Sequence, residues 1–210
     1  MVEKIRLAIQ PYTFLICALI IVAWIISALH HDLSLFQTQK SRLLLSFGAI
    51  NGESLQRGEY WKLLTAQFLH VMFLHMLLDV GFIYYFGAKI EKIFGAQVFL
   101  TVFLLAGLAG TTASVLVYPQ LTSSGSSQAL CGLVGAFFVL ALFPRRVPQI
   151  AVAWAVGFVL IQVLLDLYFA GYLKAGHSVG FLAGLFLGGF IRLLRRGKLD
   201  MVKRGENLKT

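Results

Sequence analysis

The chain has 210 residues, of which 59% are hydrophobic and 13% are charged, whereas average soluble domains carry about 25% charged residues. This composition argues against a soluble enzyme and indicates an integral membrane protein. The net charge of +9 does not indicate nucleic-acid binding, because the basic residues cluster at the ends of apolar runs, as membrane topology requires. A helix that crosses the membrane needs about 20 residues. Six crossings would use most of the chain, which predicts a single membrane domain over residues 1–210.

Six apolar runs predict an all-α bundle of six transmembrane helices. In chain order they cover residues 12–29, 73–94, 96–118, 126–143, 148–169 and 177–194. The first run is long for the apolar part of a signal peptide and no small-residue cleavage site follows it, so we expect it to remain as a membrane helix. Residues 30–68 mix charged and apolar residues, which predicts a structured loop with amphipathic turns on the membrane surface.

The distribution of lysine and arginine predicts the orientation. One side of the membrane would hold only Lys40, Arg42, Arg57, Lys62 and Lys174, and the other side would hold all remaining basic residues, including the tail at 195–210. Because cytoplasmic loops carry the excess of lysine and arginine, we expect both termini in the cytoplasm and segment 120–125 at the outer face.

Polar side chains in membrane helices are energetically costly, so each is a candidate for function. The predicted topology brings five of them to the outer ends of three helices: His70, His75, Asp79, Ser127 and His177. Any one of these residues alone is more often an interhelical hydrogen bond or a helix cap than a catalytic group. The functional prediction therefore depends on the set.

Ser127 and His177 are the natural nucleophile and base. A serine hydroxyl is a weak nucleophile unless a base takes its proton, and histidine has the right proton affinity for that task near neutral pH. Gly125 lets the chain turn sharply before Ser127. A serine at a helix N-terminus also has free backbone N–H groups nearby that can stabilise a developing oxyanion.

Glycines predict that the fourth and sixth helices lie close together. Gly132 and Gly135 belong to the fourth run, whereas the sixth run carries glycines four residues apart, at Gly180, Gly184 and Gly188. Faces of small residues let helix backbones approach closely in membranes. A crossing at this point would bring His177 Nε2 within hydrogen-bond reach of Ser127.

His75 and Asp79 are four residues apart and therefore share one helix face. His75 can donate a hydrogen bond to an oxyanion. An ionised Asp79 would oppose that charge, whereas a protonated carboxyl can donate to it. A metal site made of His70, His75 and Asp79 is the alternative, but His70 and His75 do not share a helix face, so we expect no metal.

These residues belong to four motifs that occur in the order found in a known family. The motifs are Glu59-Tyr60-Trp61-Lys62, the segment from His70 through His75 to Asp79, Gly125-Ser126-Ser127-Gln128, and His177-Ser178-Val179-Gly180 continued to Gly184. Over roughly residues 59–194 the pattern resembles the rhomboid intramembrane serine proteases. Lys62 stands where that family has arginine, and Asp79 stands where it usually has asparagine.

The resemblance implies a catalytic dyad of Ser127 and His177, with His75, Asp79 and the Ser127 backbone N–H lining the oxyanion hole. It implies that the fifth helix and the cap at 170–176 gate lateral entry of transmembrane protein substrates, which are cut near the outer face. It implies no cofactor. The short N-terminus resembles bacterial members, so we expect a multi-pass protein of the bacterial inner membrane. The sequence names neither the substrate nor the oligomeric state.

Two other functions remain open at this point. An inactive rhomboid-like protein that binds membrane clients would be consistent with Asp79. Gln128 and Cys131 also depart from the usual family pattern, and they bear on rate and substrate range. A small transporter or channel would more often place charged groups at mid-membrane on several helices, and here only Asp79 and Asp166 qualify.

Overall fold

The computed structural model describes residues 10–142, 149–171 and 173–206. Six long helices are present in that part of the chain: α1 Pro11–His30, α5 Phe73–Phe94, α6 Ala96–Val117, α7 Ser127–Ala141, α8 Gln149–Ala170 and α9 Ala175–Glu206. Three short helices, α2 Ser41–Phe47, α3 Gly52–Gln56 and α4 Lys62–Thr65, and a 3-10 turn at Ala66–Phe68 lie between α1 and α5. The described residues form no strand, and one isolated antiparallel bridge joins Ile50 to Ser123.

The predicted helices are found within a few residues of their expected ends. The predicted ends at 143 and 148, and residues 1–9 and 207–210, lie outside the described residues. The sixth predicted helix differs most, because α9 continues to Glu206 through the segment expected as a tail. That segment is rich in lysine and arginine, which favour helix.

Five of the described helices, α1, α5, α6, α8 and α9, are long and apolar enough to cross a membrane. With 15 residues, α7 is shorter than these. Nearly all of its residues are buried by the surrounding helices, so it is enclosed by protein. The protein is therefore an all-helical, multi-pass membrane bundle, whereas the sixth crossing and the cytoplasmic placement of both termini remain predictions.

Large apolar side chains face outward on the peripheral helices. On α8, Leu160, Ile161 and Leu164 are all more than half exposed, which suits contact with lipid and not with water. Phe86, Phe99, Phe103 and Phe137 are instead fully buried and pack the interior between α5, α6 and α7.

Glycines bring α6, α7 and α9 into backbone contact, as predicted for α7 and α9. A methyl group added to Gly184 would collide with the carbonyl group of Gly132, and one added to Gly135 would collide with the carbonyl oxygen of Phe181. On α6, a methyl group at Gly110 would lie 2.6 Å from the carbonyl oxygen of Gly176. These contacts leave no room for side chains, so the three helices form the tight centre of the bundle.

The loop between α1 and α5 is structured, as predicted. Lys62 is buried in it, where its ammonium group donates to the Leu45 carbonyl at 3.0 Å and pairs with Glu59 at 2.7 Å. Hydrogen bonds from Lys62 and Arg57 lower the pKa of the Glu59 carboxyl to about 2. Glu59 therefore stays ionised at physiological pH, and the buried ammonium group keeps its partner.

Glu91, near the end of α5, anchors the start of α1. Its carboxylate accepts hydrogen bonds from the backbone N–H groups of Tyr12 and Thr13 at 3.1 and 2.7 Å, and from the Thr13 hydroxyl at 2.7 Å. The first N–H groups of a helix have no partner within the helix. A carboxylate there satisfies them and also interacts favourably with the helix dipole.

Candidate active site

The segment that precedes Ser127 is held against the first loop by backbone hydrogen bonds. Ile50 and Ser123 exchange two of them, at 3.2 and 2.7 Å, and Gly125 N–H donates to the Ala66 carbonyl at 2.9 Å. Gly125 has φ of +119°, a conformation that favours glycine. The expected sharp turn is therefore present, and Ser127 follows it as the first residue of α7.

Ser127 and His177 are in hydrogen-bond contact. Ser127 Oγ lies 2.9 Å from His177 Nε2, although the two residues are 50 positions apart. Ser127 is buried at the start of α7, and His177 stands in the first turn of α9. The distance agrees with the approach expected from the glycine faces, since Gly180, one turn after His177, packs on the backbone of Gln128.

A carboxylate contacts the other side of the His177 ring. His177 Nδ1 lies 2.9 Å from both carboxylate oxygens of Asp166 on α8. Sequence reasoning noted Asp166 only as a charge at mid-membrane and did not connect it to His177. The pairing could have been suspected from the sequence, because a buried carboxylate needs a polar partner. The short loop between α8 and α9 places the end of α8, with Asp166, near the start of α9, with His177.

The other predicted residues form a second cluster, in which His70 and Asp79 are buried and His75 is partly exposed. His70 Nε2 lies 3.1 Å from Asp79 Oδ2, and the Ser126 hydroxyl donates to the same oxygen at 2.9 Å. His75 Nε2 lies 3.6 Å from Asp79 Oδ1, slightly beyond hydrogen-bond distance. Asp79 is thus surrounded by two histidines and by Ser126, a neighbour that sequence reasoning had not assigned to it.

A cavity of about 180 Å³ opens beside Ser127. It is lined by His75, Ser127 and His177, together with the polar side chains of Gln128 and Lys174. Asp79 does not line it. Three of the four predicted site residues therefore face one space, whereas Asp79 reaches it only through its neighbours.

A second cavity of about 240 Å³ lies between α8 and α9. Apolar side chains such as Phe158, Phe181 and Leu182 form much of its wall, and Asp166 and His177 stand at its polar end. The His177 ring therefore borders both cavities, one polar and one largely apolar. Among the described residues, no group of three or more histidine, cysteine, aspartate and glutamate side chains is arranged to hold a metal ion.

Comparison with known proteins identifies the family. The family model of the Rhomboid domain matches residues 57–194. The chain is 30% identical over 156 residues to Rhomboid protease GluP of Bacillus subtilis, a match that covers 73% of this chain and 30% of that protein. It is 28% identical over 173 residues to Rhomboid-like protease 3 of Toxoplasma gondii, covering 80% of this chain and 64% of that protein.

The relatives also include Inactive rhomboid protein 1 of Papio anubis, which is 28% identical over 151 residues, or 70% of this chain and 17% of that protein. The chain thus spans less than two thirds of the length of these relatives. The Rhomboid domain nevertheless occupies most of the chain. The chain therefore belongs to the rhomboid family.

Proposed function

We propose that the chain is an intramembrane serine endopeptidase that cuts transmembrane segments of other membrane proteins near the outer face. The observation that supports this function best is the 2.9 Å contact between Ser127 Oγ and His177 Nε2 beside a polar cavity. A nucleophile and a base within hydrogen-bond reach are the minimum that acyl transfer requires.

In the proposed mechanism, His177 Nε2 takes the Ser127 proton as Ser127 Oγ attacks the scissile carbonyl carbon. The same nitrogen then gives that proton to the leaving amine, and an acyl-enzyme remains. Water, activated by His177 in turn, hydrolyses the ester. The polar cavity beside Ser127 gives this water a place at the reacting atoms.

The oxyanion would be stabilised by the Ser127 backbone N–H and the His75 side chain. Ser127 opens α7, so its N–H has no acceptor four residues before it in the helix, and His75 lines the same cavity. Asp79 would act less directly than the family resemblance implies, through its contacts with Ser126 and His75. Donors fixed before the reaction stabilise the developing charge.

Substrate would enter from the side, between α8 and α9. The largely apolar cavity between these helices ends at Asp166 and His177, so an apolar segment could reach the dyad without passing through water. In this proposal α8 and the cap at 170–176 gate entry, although Tyr172 in the cap lies outside the described residues. We further propose six crossings, cytoplasmic termini and a location in the bacterial inner membrane.

The Ser127→Ala variant tests the proposed function. We expect it to abolish cleavage of a model transmembrane substrate in proteoliposomes, with the intact substrate measured by gel. A fluorophosphonate probe should label the wild type and not the variant. Ser46→Ala, at an exposed position of α2, is the matched control and should be labelled like the wild type. Equal cleavage by wild type and Ser127→Ala would eliminate the serine mechanism.

The second candidate function is that of an inactive rhomboid-like protein that binds membrane clients. The similarity to Inactive rhomboid protein 1 favours it, as does a carboxylate at position 79. A folded wild-type protein that neither cleaves the substrate nor reacts with the probe would support this alternative.

Asp79→Asn is expected to retain full cleavage or to raise it, by up to about tenfold. The amide keeps an oxygen that accepts the Ser126 hydroxyl, and it removes a negative charge that would oppose the oxyanion. The measurement is the initial rate of cleavage, with thermal unfolding as the check on folding. Loss of activity in a folded Asp79→Asn protein would show that the carboxylate has a specific role.

A further inference from the structure

We propose that Asp166 completes a Ser127–His177–Asp166 triad, as a positioning residue that fixes the tautomer and orientation of His177. This inference rests on the proposed protease function and goes beyond the dyad that the family resemblance implies. Asp166 does not touch substrate in this proposal. It acts entirely through His177.

The hydrogen-bond chemistry of the ring decides its tautomer. A neutral imidazole has one N–H and one nitrogen lone pair. An ionised carboxylate only accepts, and both Asp166 oxygens lie 2.9 Å from Nδ1, closer than the Gln162 amide nitrogen at 3.1 Å. Because Gln162 Nε2 also donates to Asp166 Oδ1, we assign the ring proton to Nδ1, where it donates to the carboxylate. Nε2 then presents its lone pair to the Ser127 hydroxyl, 2.9 Å away. This is the tautomer that a general base needs.

The carboxylate is itself held in place by donors. Lys174 backbone N–H donates to Asp166 Oδ2 at 3.1 Å, and Gln162 Nε2 donates to Oδ1 at 3.1 Å. The Lys174 ammonium group lies 3.8 Å from Oδ1. Asp166 is only 2% exposed, so little of the carboxylate is accessible to water. A carboxylate fixed from several directions can orient the ring that it contacts.

The same contact stabilises the charge that forms during the reaction. When the Ser127 O–H bond breaks and an Nε2–H bond forms, the ring becomes an imidazolium with Asp166 on its far side. The carboxylate remains ionised and takes no proton. Because both side chains are largely shielded from water, the attraction is stronger than it would be in bulk water.

A purely structural role is the alternative. Asp166 joins α8 to the loop before α9 through the Lys174 N–H, and that bond alone would stabilise the fold. Asp166→Asn separates the two roles. Asparagine keeps an oxygen for the Lys174 N–H, but its NH₂ group can donate to Nδ1. That would leave the ring proton on Nε2, facing Ser127.

The test compares kcat and KM of wild type, Asp166→Asn and the exposed control Asp32→Asn on a model transmembrane substrate. We expect kcat of Asp166→Asn to fall by about 10²- to 10⁴-fold, with KM and the unfolding temperature close to wild type. Asp32→Asn should behave as wild type, since asparagine tolerates the positive φ at that position. Unchanged kcat, or a changed KM alone, would overturn the triad.

The Glu and Gln variants of residue 166 keep the inference testable if Asp166→Asn does not fold. Glu restores an acceptor-only group and Gln does not, so Asp166→Glu should exceed Asp166→Gln in kcat by about tenfold or more. Equal rates for these two variants would overturn the proposal. Failure of the protease proposal itself is distinguishable, because the wild type would then neither cleave the substrate nor react with the probe at Ser127.

Discussion

The His177→Ala variant should lose at least about 10³-fold in cleavage rate, because no other side chain takes over as base. Three histidines surround the site, but only His177 contacts the Ser127 hydroxyl, at 2.9 Å. His70 is engaged with Asp79 and Ser126. His75 lines the same cavity, and we propose that it donates to the oxyanion.

The measurement is cleavage of the model transmembrane substrate, combined with the rate of fluorophosphonate labelling at Ser127. Both rates should fall together, since both need a proton removed from the same hydroxyl. His30→Ala replaces an exposed histidine at the end of α1 and should retain wild-type rates. Retained activity in a folded His177→Ala protein would assign the base to another residue.

The long helices could be predicted from the sequence because their boundaries are local. Gly95 follows the α5 segment and Pro119 stands just beyond α6, so the chain itself marks where those helices end. The glycine spacing in α9 likewise predicted its contact with α7. A repeat of four residues places all three glycines on one helix face, and the structure packs that face on α7.

The partners of the two membrane aspartates could not be predicted in this way. Asp166 contacts His177 at the point where the chain passes from α8 to α9, and although the sequence indicated that these two helix ends are near each other, it did not indicate that these two side chains pair. Asp79 meets His70 because the chain before α5 folds back over the start of the helix. The sequence showed that burying either carboxylate costs free energy, but it did not show which side chains form the hydrogen bonds that offset this cost.

The burial of Lys62 in the first loop also could not be predicted from the local sequence. The sequence identified its motif, but its burial depends on the distant carbonyl of Leu45 and on Glu59. The neighbouring turns of this loop bond to Ser123 and Gly125. The loop therefore supports the segment that leads to Ser127, and this explains in physical terms why a loop motif accompanies the serine motif.

Gly184→Ala is expected to destabilise the protein by about 1–3 kcal/mol and to slow cleavage by about 10²-fold. The added methyl group would lie within 2.8 Å of the Gly132 Cα atom, whereas carbon atoms pack at about 3.5–4.0 Å. The backbone cannot yield as a flexible side chain would, so α9 must move away from α7. Because α9 carries His177 and α7 carries Ser127, that movement lengthens the 2.9 Å contact between them.

Gly189→Ala, five residues later on the same helix, is the matched control. A methyl group there meets nothing within 4 Å, and alanine favours helix more than glycine does, so stability and rate should equal or exceed those of the wild type. Thermal unfolding in detergent and cleavage in proteoliposomes measure the two effects. If both alanine variants matched the wild type, the backbone contact between α7 and α9 would not set the distance from Ser127 to His177. If Gly184→Ala lost activity at unchanged stability, the glycine would serve the geometry of the site more than the strength of the fold.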